Sequence, residues 1–239
     1  SALSRFVGSR LFYCRLNLLR RDESGEASVL ADLGWKRPVR KMSSGLTMLY
    51  ALDGDPAERM LRASGNWRHN LKRSGRHALR IEHWADPDPR AISALYREME
   101  GLKSLAIQHT EDELGRMLEA MKTQIAVFRC LGDDGSLLAI RAAGLFGDTA
   151  WDMLAAAGIA ARKVYASHAT LWALLEHCRQ AGMRHYDLSG VDPVANKGVY
   201  DFKQGTGAQL VECLGEWEWA SLPGMRLGVN WALGRRAGA

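Results

Sequence analysis

Tyr186 to Gly207 reads YDLSGVDPVANKGVYDFKQGTG, and the segments on either side take their meaning from it. Tyr186-Asp187-Leu188 has the composition of a strand end. Ser189-Gly190 breaks that strand, because glycine accepts backbone angles that other residues resist. Val191 to Lys197 reads as loop, with Pro193 and Asn196 as turn residues. Gly198 to Lys203 reads as a glycine-and-aromatic loop carrying one lysine, and Gly205-Thr206-Gly207 ends the unit. A core needs no such density of Gly, Asp, Asn and Lys, whereas loops held at strand ends are where binding chemistry concentrates.

Outward toward the N-terminus, Arg184 to Leu188 is a short strand fed by a helix over Tyr165 to Gly182. Leu171, Leu174, Leu175 and Cys178 give that helix an apolar stripe, and Gly182 stops it. Before it, Gln124–Leu131, Leu137–Phe146 and Thr149–Ala156 predict a three-stranded antiparallel meander, with turns at Gly132-Asp133-Asp134-Gly135 and Gly147-Asp148. Toward the C-terminus, Gln209 to Trp219 predicts one long strand, with Leu210, Glu212 and Leu214 on one face and Val211 and Cys213 on the other. Leu222 to Arg235 predicts a terminal helix in which Arg226, Arg235 and Arg236 accompany Leu227, Val229, Trp231 and Leu233. A tail docked on the core is the default for such a helix, and weak membrane association is the other reading.

The first half carries strands at Leu11–Leu19, Gly45–Leu52 and Leu79–Trp84 and a short helix over Ala27–Leu33. Asp55 caps a helix that has Pro56 at its first position. Pro89 to Lys103 is amphipathic, with Ile92, Leu95, Tyr96, Met99 and Leu102 on one stripe, and Thr110 with Glu113 forms a capping box for a helix to Met121. Between Arg59 and Arg80 there are seven basic residues and no acid. Asn66 reads as the cap of a helix from Trp67, which sets Arg68, Lys72 and Arg76 four apart on one face. The bland meaning of such a run is a solvated face; the sharper one is a phosphate-binding face.

The 239 residues, 47% of them hydrophobic, suffice for one large domain or two small ones. No run of 18 uncharged apolar residues predicts a membrane span, no secretory signal pattern opens the chain, and Ser1-Ala2 reads as a cloning remnant. Cys14, Cys130, Cys178 and Cys213 are far apart and form no metal-ligand spacing, so no metal is expected and each reads as a small buried residue in a reducing, cytoplasmic compartment. The net charge of +5 suits an anionic partner such as tRNA, a phosphorylated precursor or a membrane surface.

The central stretch resembles the late signature of the Fem (FemABX) peptidyltransferases, which build peptidoglycan cross-bridges. The matching residues are Tyr186, Asp187, Leu188 and Gly190, then Gly198, Val199, Tyr200, Phe202, Lys203, Gly205 and Gly207; Thr206 stands where that family more often has an aromatic residue. The resemblance extends more weakly from Gly45 to Trp219, and the family also shows an Asn-x-basic helix like that from Asn66. It implies an α/β (α+β) fold of the GNAT-like N-acyltransferase kind, a mixed, mostly antiparallel sheet flanked by helices. Fem proteins carry two such units in tandem, so residues 1–52 read as a partial N-terminal unit or remnant and 53–239 as a GNAT-like domain with a helical tail.

The implied activity is aminoacyl transfer from aminoacyl-tRNA to an amine of a peptidoglycan precursor, with no cofactor beyond that donor and with peripheral contact at the inner membrane surface. In that chemistry an amine attacks an ester, and the tetrahedral oxyanion must be stabilised. The resemblance assigns Lys203 to catalysis, and its reach suits an oxyanion or phosphate. Asp187 can orient the amine, act as a base or cap the turn at Gly190, the last favoured; Tyr200 and Phe202 can line an acceptor channel or pack under the loop. Arg68, Lys72 and Arg76 are candidates for donor phosphates, and Gly190 for close approach of substrate. An acyl-CoA enzyme of the GNAT kind is the alternative, with a non-catalytic anion-binding module as a third reading. CoA users place a glycine-bearing loop before the Tyr165 helix; here that loop reads Arg162-Lys163-Val164-Tyr165-Ala166-Ser167, so Arg162 and Ser167 can still hold an anion while Tyr165 takes the place of the middle glycine.

Overall fold

Local signals start most elements where the sequence predicts them. The computed structural model describes residues 8, 10–103 and 110–236; Ser1, Ala2 and the side chains of Leu102, Arg235 and Arg236 lie outside what is described. The chain runs β1 (Tyr13–Leu18), α1 (Glu26–Asp32), β2 (Leu46–Ala51), α2 (Pro56–Arg62), α3 (Gly65–Ser74), β3 (Arg80–His83), α4 (Pro89–Lys103) and α5 (Glu111–Ala120). It continues through β4 (Ile125–Leu131), β5 (Leu137–Phe146), β6 (Thr149–Ala157), α6 (Ile159–Lys163), α7 (Ala166–Gln180), β7 (His185–Gly190), α8 (Lys197–Gly205), β8 (Gln209–Glu212), β9 (Gly215–Ala220) and α9 (Pro223–Arg236). Reciprocal capping boxes start α2 at Asp55 with Glu58 and α5 at Thr110 with Glu113.

Three local expectations are corrected. The segment expected as a glycine-and-aromatic loop is the helix α8, and Lys203 sits in its last turn. Ser64, not Asn66, caps α3, its Oγ accepting the Trp67 N–H at 3.2 Å. The long strand expected over Gln209–Trp219 is two strands parted at Cys213-Leu214. There the backbone N–H groups of Cys213 and Leu214 turn to the carbonyls of Gly45 (2.8 Å) and Arg20 (2.7 Å), and Gly215 follows at φ 65°.

The seven-stranded sheet has the order β3-β4-β5-β6-β7-β2-β8, and β1 pairs antiparallel with β9 in a second sheet. The meander β3 to β6 is antiparallel throughout. In contrast, β6 meets β7 in parallel, and only Thr149–Trp151 pairs with His185–Asp187 before the strands part. A register shift opposite Ala142 and Ala143 sets Met153 outside the ladder at this point. Such a bulge bends and twists a strand locally. It sits where the pairing of β6 with β7 ends, next to Asp152.

The chain divides into two compact units, each assembled from separate segments: residues 1–47, 190–197 and 210–239 form one, and 48–189 with 198–209 form the other. In the first, Arg37 lies 3.9 Å over the Trp217 ring, and the buried Glu216 and Glu218 are paired with Arg15 and Arg226. In the second, Ile92, Leu95, Tyr96, Leu114, Leu118, Val127, Ile140 and Leu154 belong to one core cluster. Leu171, Leu174, Leu175 and Cys178, the stripe predicted for α7, are fully buried. Cys130 and Cys213 are also buried, and Cys14 is half-buried. Among the described residues no helix is long and apolar enough to cross a membrane.

Candidate active site

Two charged residues interrupt otherwise apolar strands, Arg141 in β5 and Asp152 in β6, and the β6 bulge brings them together. Arg141 donates from Nε to Asp152 Oδ1 (2.8 Å) and from Nη2 to Oδ2 (2.6 Å), a two-pronged pair with both side chains only 6% exposed. Tyr186 of β7 donates its hydroxyl to Asp152 Oδ1 at 2.9 Å. Removing either charge from such a pair strands the other in a low-dielectric interior, typically at about 3–5 kcal/mol. Burial opposes the Arg141 charge, but Asp152 and Tyr186 outweigh it and hold the guanidinium charged. Burial together with the Asp152 carboxylate pushes the Tyr186 phenol well above its ordinary value.

Lys203 is 7% exposed and extends from α8 toward this group. Its Nζ donates to the Ser189 carbonyl at 3.3 Å. Burial lowers its pKa to about 8, against the opposing pull of Asp152 and Asp187 and with Arg141 adding to the drop. Asp187 is buried, and its Oδ1 accepts the Ser189 N–H at 2.7 Å, the turn-capping role favoured for it. Gly190 closes β7 and is exposed.

A cavity of about 300 Å3 lies beside these groups, lined by Asn70, Ala161, Arg162, Tyr165, Ser167, His168 and Phe202. Phe202 belongs to both regions: its ring faces the cavity, with Arg141 5.7 Å from its centroid. His168 packs against Phe202 (5.0 Å) and Trp67 (5.4 Å), and burial lowers its pKa to about 4, which keeps the ring neutral. Tyr165 stands at the start of α7 with φ 58° and ψ 29°, a left-handed conformation ordinarily left to glycine. Its hydroxyl accepts from Arg73 Nη1 at 2.8 Å, and the Arg73 guanidinium lies 5.6 Å from the ring centroid.

The fold therefore gathers Arg162, Ser167 and Phe202 on one wall and Lys203 with Asp187 in the adjoining polar cluster. Tyr200 is half-buried, and its hydroxyl accepts from Gln204 at 3.3 Å. Arg68, Lys72 and Arg76 do not line this cavity: Arg68 is half-buried, Lys72 is exposed, and Arg76 borders a separate cavity of about 440 Å3 with His77, Asp133 and Asp134. Asn70 and Arg73 represent that helix at the site instead. The sequence reading did not single out Arg141, Asn70 or Arg73. A lone Arg and a lone Asp inside apolar strands were the available signal for the buried pair.

The acetyltransferase (GNAT) domain family matches residues 65–204, more than half of the chain and all of this constellation. The chain belongs to the GNAT acetyltransferase family. The chain is thus a GNAT-type acyltransferase, on the mixed sheet described above. No curated protein matches the chain in sequence. Among solved structures, FemX is 12% identical over 92% of this chain and 74% of its own, with a TM-score of 0.79. The C-terminal domain (DUF2156) of a putative lysylphosphatidylglycerol synthetase from Agrobacterium fabrum is 13% identical over 97% of this chain and 73% of its own, with a TM-score of 0.61. A tandem GNAT protein from the clavulanic acid biosynthesis pathway is 12% identical over 93% and 67%, with a TM-score of 0.54. At these identities the likeness is one of fold.

Proposed function

We propose that this GNAT unit is an aminoacyltransferase that moves an aminoacyl group from aminoacyl-tRNA to an amine of a peptidoglycan precursor. Tyr165 is the observation that carries this reading over an acyl-CoA donor. The backbone at the start of α7 keeps the left-handed turn, but a tyrosine side chain tied to Arg73 stands where a pyrophosphate needs bare backbone. The residues present therefore do not suit CoA. The Fem-like signature at Tyr186–Gly207 and the fold shared with FemX support the same choice.

In this mechanism the acceptor amine attacks the ester carbonyl, a C–N bond forms, and the carbonyl oxygen becomes an oxyanion. The C–O bond to the ribose then breaks, and the proton released by the amine goes to the departing oxygen. Lys203, cationic below about pH 8, is assigned the charge opposite the oxyanion. The buried Asp187 orients the attacking amine through the turn it caps. Phe202 and Tyr200 flank the acceptor, and Gly190 allows it close approach. Arg162 and Ser167 take the terminal phosphate of the donor, with Arg68, Lys72 and Arg76 reserved for phosphates farther along the tRNA.

Thermal stability with each donor tests the choice. Aminoacyl-tRNA at 100 times its dissociation constant is expected to add about 2.7 kcal/mol, and CoA at millimolar concentration nothing. The variant Tyr165→Gly is expected to keep the fold and to gain CoA binding. Wild-type stabilisation by CoA alone would reverse the assignment in favour of an acyl-CoA enzyme.

A further inference from the structure

Among the described residues, Tyr165 and Ser189 alone hold a left-handed backbone without being glycine, Ser189 at φ 63°. Such a conformation persists where its surroundings over-determine it. Three bonds do so at Ser189. Its N–H donates to Asp187 Oδ1 (2.7 Å), its Oγ donates to the backbone carbonyl of Asp152 (2.6 Å), and its own carbonyl receives Lys203 Nζ (3.3 Å). We propose that Ser189 is a positioning residue for Lys203: its hydroxyl tether to Asp152 holds the left-handed turn whose carbonyl receives the lysine.

Asp152 is a fixed anchor for that tether. Its carboxylate is gripped by Arg141 and Tyr186, so its backbone is set by the ion pair and by the β6 bulge. The line of contacts runs from Arg141 through Asp152 and Ser189 to Lys203. Glycine at position 189 would take the left-handed turn without help, and the Asp187 bond to the backbone N–H would remain. Serine needs the tether, and the tether links the turn to the strand that carries Asp152. The charged groups facing Lys203 are Asp152, Arg141 and Asp187. Within that field, a carbonyl acceptor favours the protonated amine.

The proposal rests on Lys203 as the charge-bearing group of the reaction, but its test involves neither donor nor acceptor, so it fails or stands apart from the choice of substrate. The full chain is labelled at lysine with carbon-13 and nitrogen-15, and Lys203 is titrated by NMR, its resonance assigned by its loss in Lys203→Arg. The wild-type midpoint is expected near 8. In Ser189→Ala the tether is lost, the turn relaxes, and the midpoint falls by about one unit. In Ser189→Gly the turn persists and the midpoint stays with the wild type. An unchanged midpoint in folded Ser189→Ala, or equal shifts in the Ala and Gly variants, would overturn the proposal. If Ser189→Ala does not fold, Ser189→Cys keeps the shape with a weaker donor. A smaller fall there supports the proposal, and no fall refutes it.

Discussion

Lys203 shows what a charge costs when it is buried. Its folded pKa of about 8 lies below its ordinary value of 10.5. Between those two values the unfolded chain still binds the proton that the folded chain has released. Stability therefore rises with pH through that window, and below pH 8 the full penalty of the buried ammonium remains. Lys203→Met is expected to stabilise the fold at pH 7 by about 2–3 kcal/mol and to abolish transfer. Denaturant unfolding at pH 7 and at pH 10 checks this, because the gain must shrink at the higher pH. A gain equal at both values would mean that Lys203 is not held at a depressed pKa. The identity of this lysine was legible in the motif from Tyr186 to Gly207. Its burial was not, because a lysine among glycines and aromatics reads as a surface loop until the partners on β6 and β7 are known.

At the scale of elements, the motif glycines divide by what surrounds them. Gly207 has φ 89°, and a Cβ there would meet the Arg62 carbonyl oxygen at 2.5 Å, a backbone atom that cannot step aside. Gly198, in the first turn of α8, has open space around its Cβ position. Gly207→Ala is expected to cost about 2–4 kcal/mol, and Gly198→Ala to be neutral or stabilising by about 0.5–1 kcal/mol. Melting temperatures of the two variants test the contrast; equal losses would show that the motif is not ordered by the α2–α8 approach. The same approach explains the misread helix. The Gly205 carbonyl accepts the Ser64 N–H at 2.8 Å, and Gly205 lies against Trp67, so tertiary contact supports a helix in a segment whose glycines argued for a loop. The meander, α7, the Asp55 cap and the Thr110 capping box were legible because periodicity and caps are local signals. The break at Cys213 was not, since it depends on carbonyls at Gly45 and Arg20, far away in sequence.

For the whole molecule, the charge is unevenly shared. The unit built from residues 1–47, 190–197 and 210–239 carries 13 basic and 8 acidic residues, and the GNAT unit 19 of each. The net excess of +5 thus says nothing about the GNAT unit, where the anion site of the proposed function rests on local arrangement. Arg68 and Lys72 of α3, with Arg76 in the turn just past its end, are that arrangement in the proposed function. Replacing Arg68, Lys72 and Arg76 together by Gln is expected to lower tRNA affinity and to reduce the slope of log affinity against log salt by about 2–3. Filter binding across a salt series measures it. An unchanged slope would return the helix to the role of a solvated face.

The sequence by itself determined the class of fold, the order of most elements and the segment that carries the lysine. These rest on periodicity, caps and a motif, all written within a few residues of one another. Only the tertiary structure decided what surrounds that lysine. The Arg141–Asp152 pair, the tether from Ser189 to β6 and the tyrosine held by Arg73 at the start of α7 each join residues on different elements. Their energies come from burial and from charges within hydrogen-bond distance, and no local pattern records which distant strand will supply the partner.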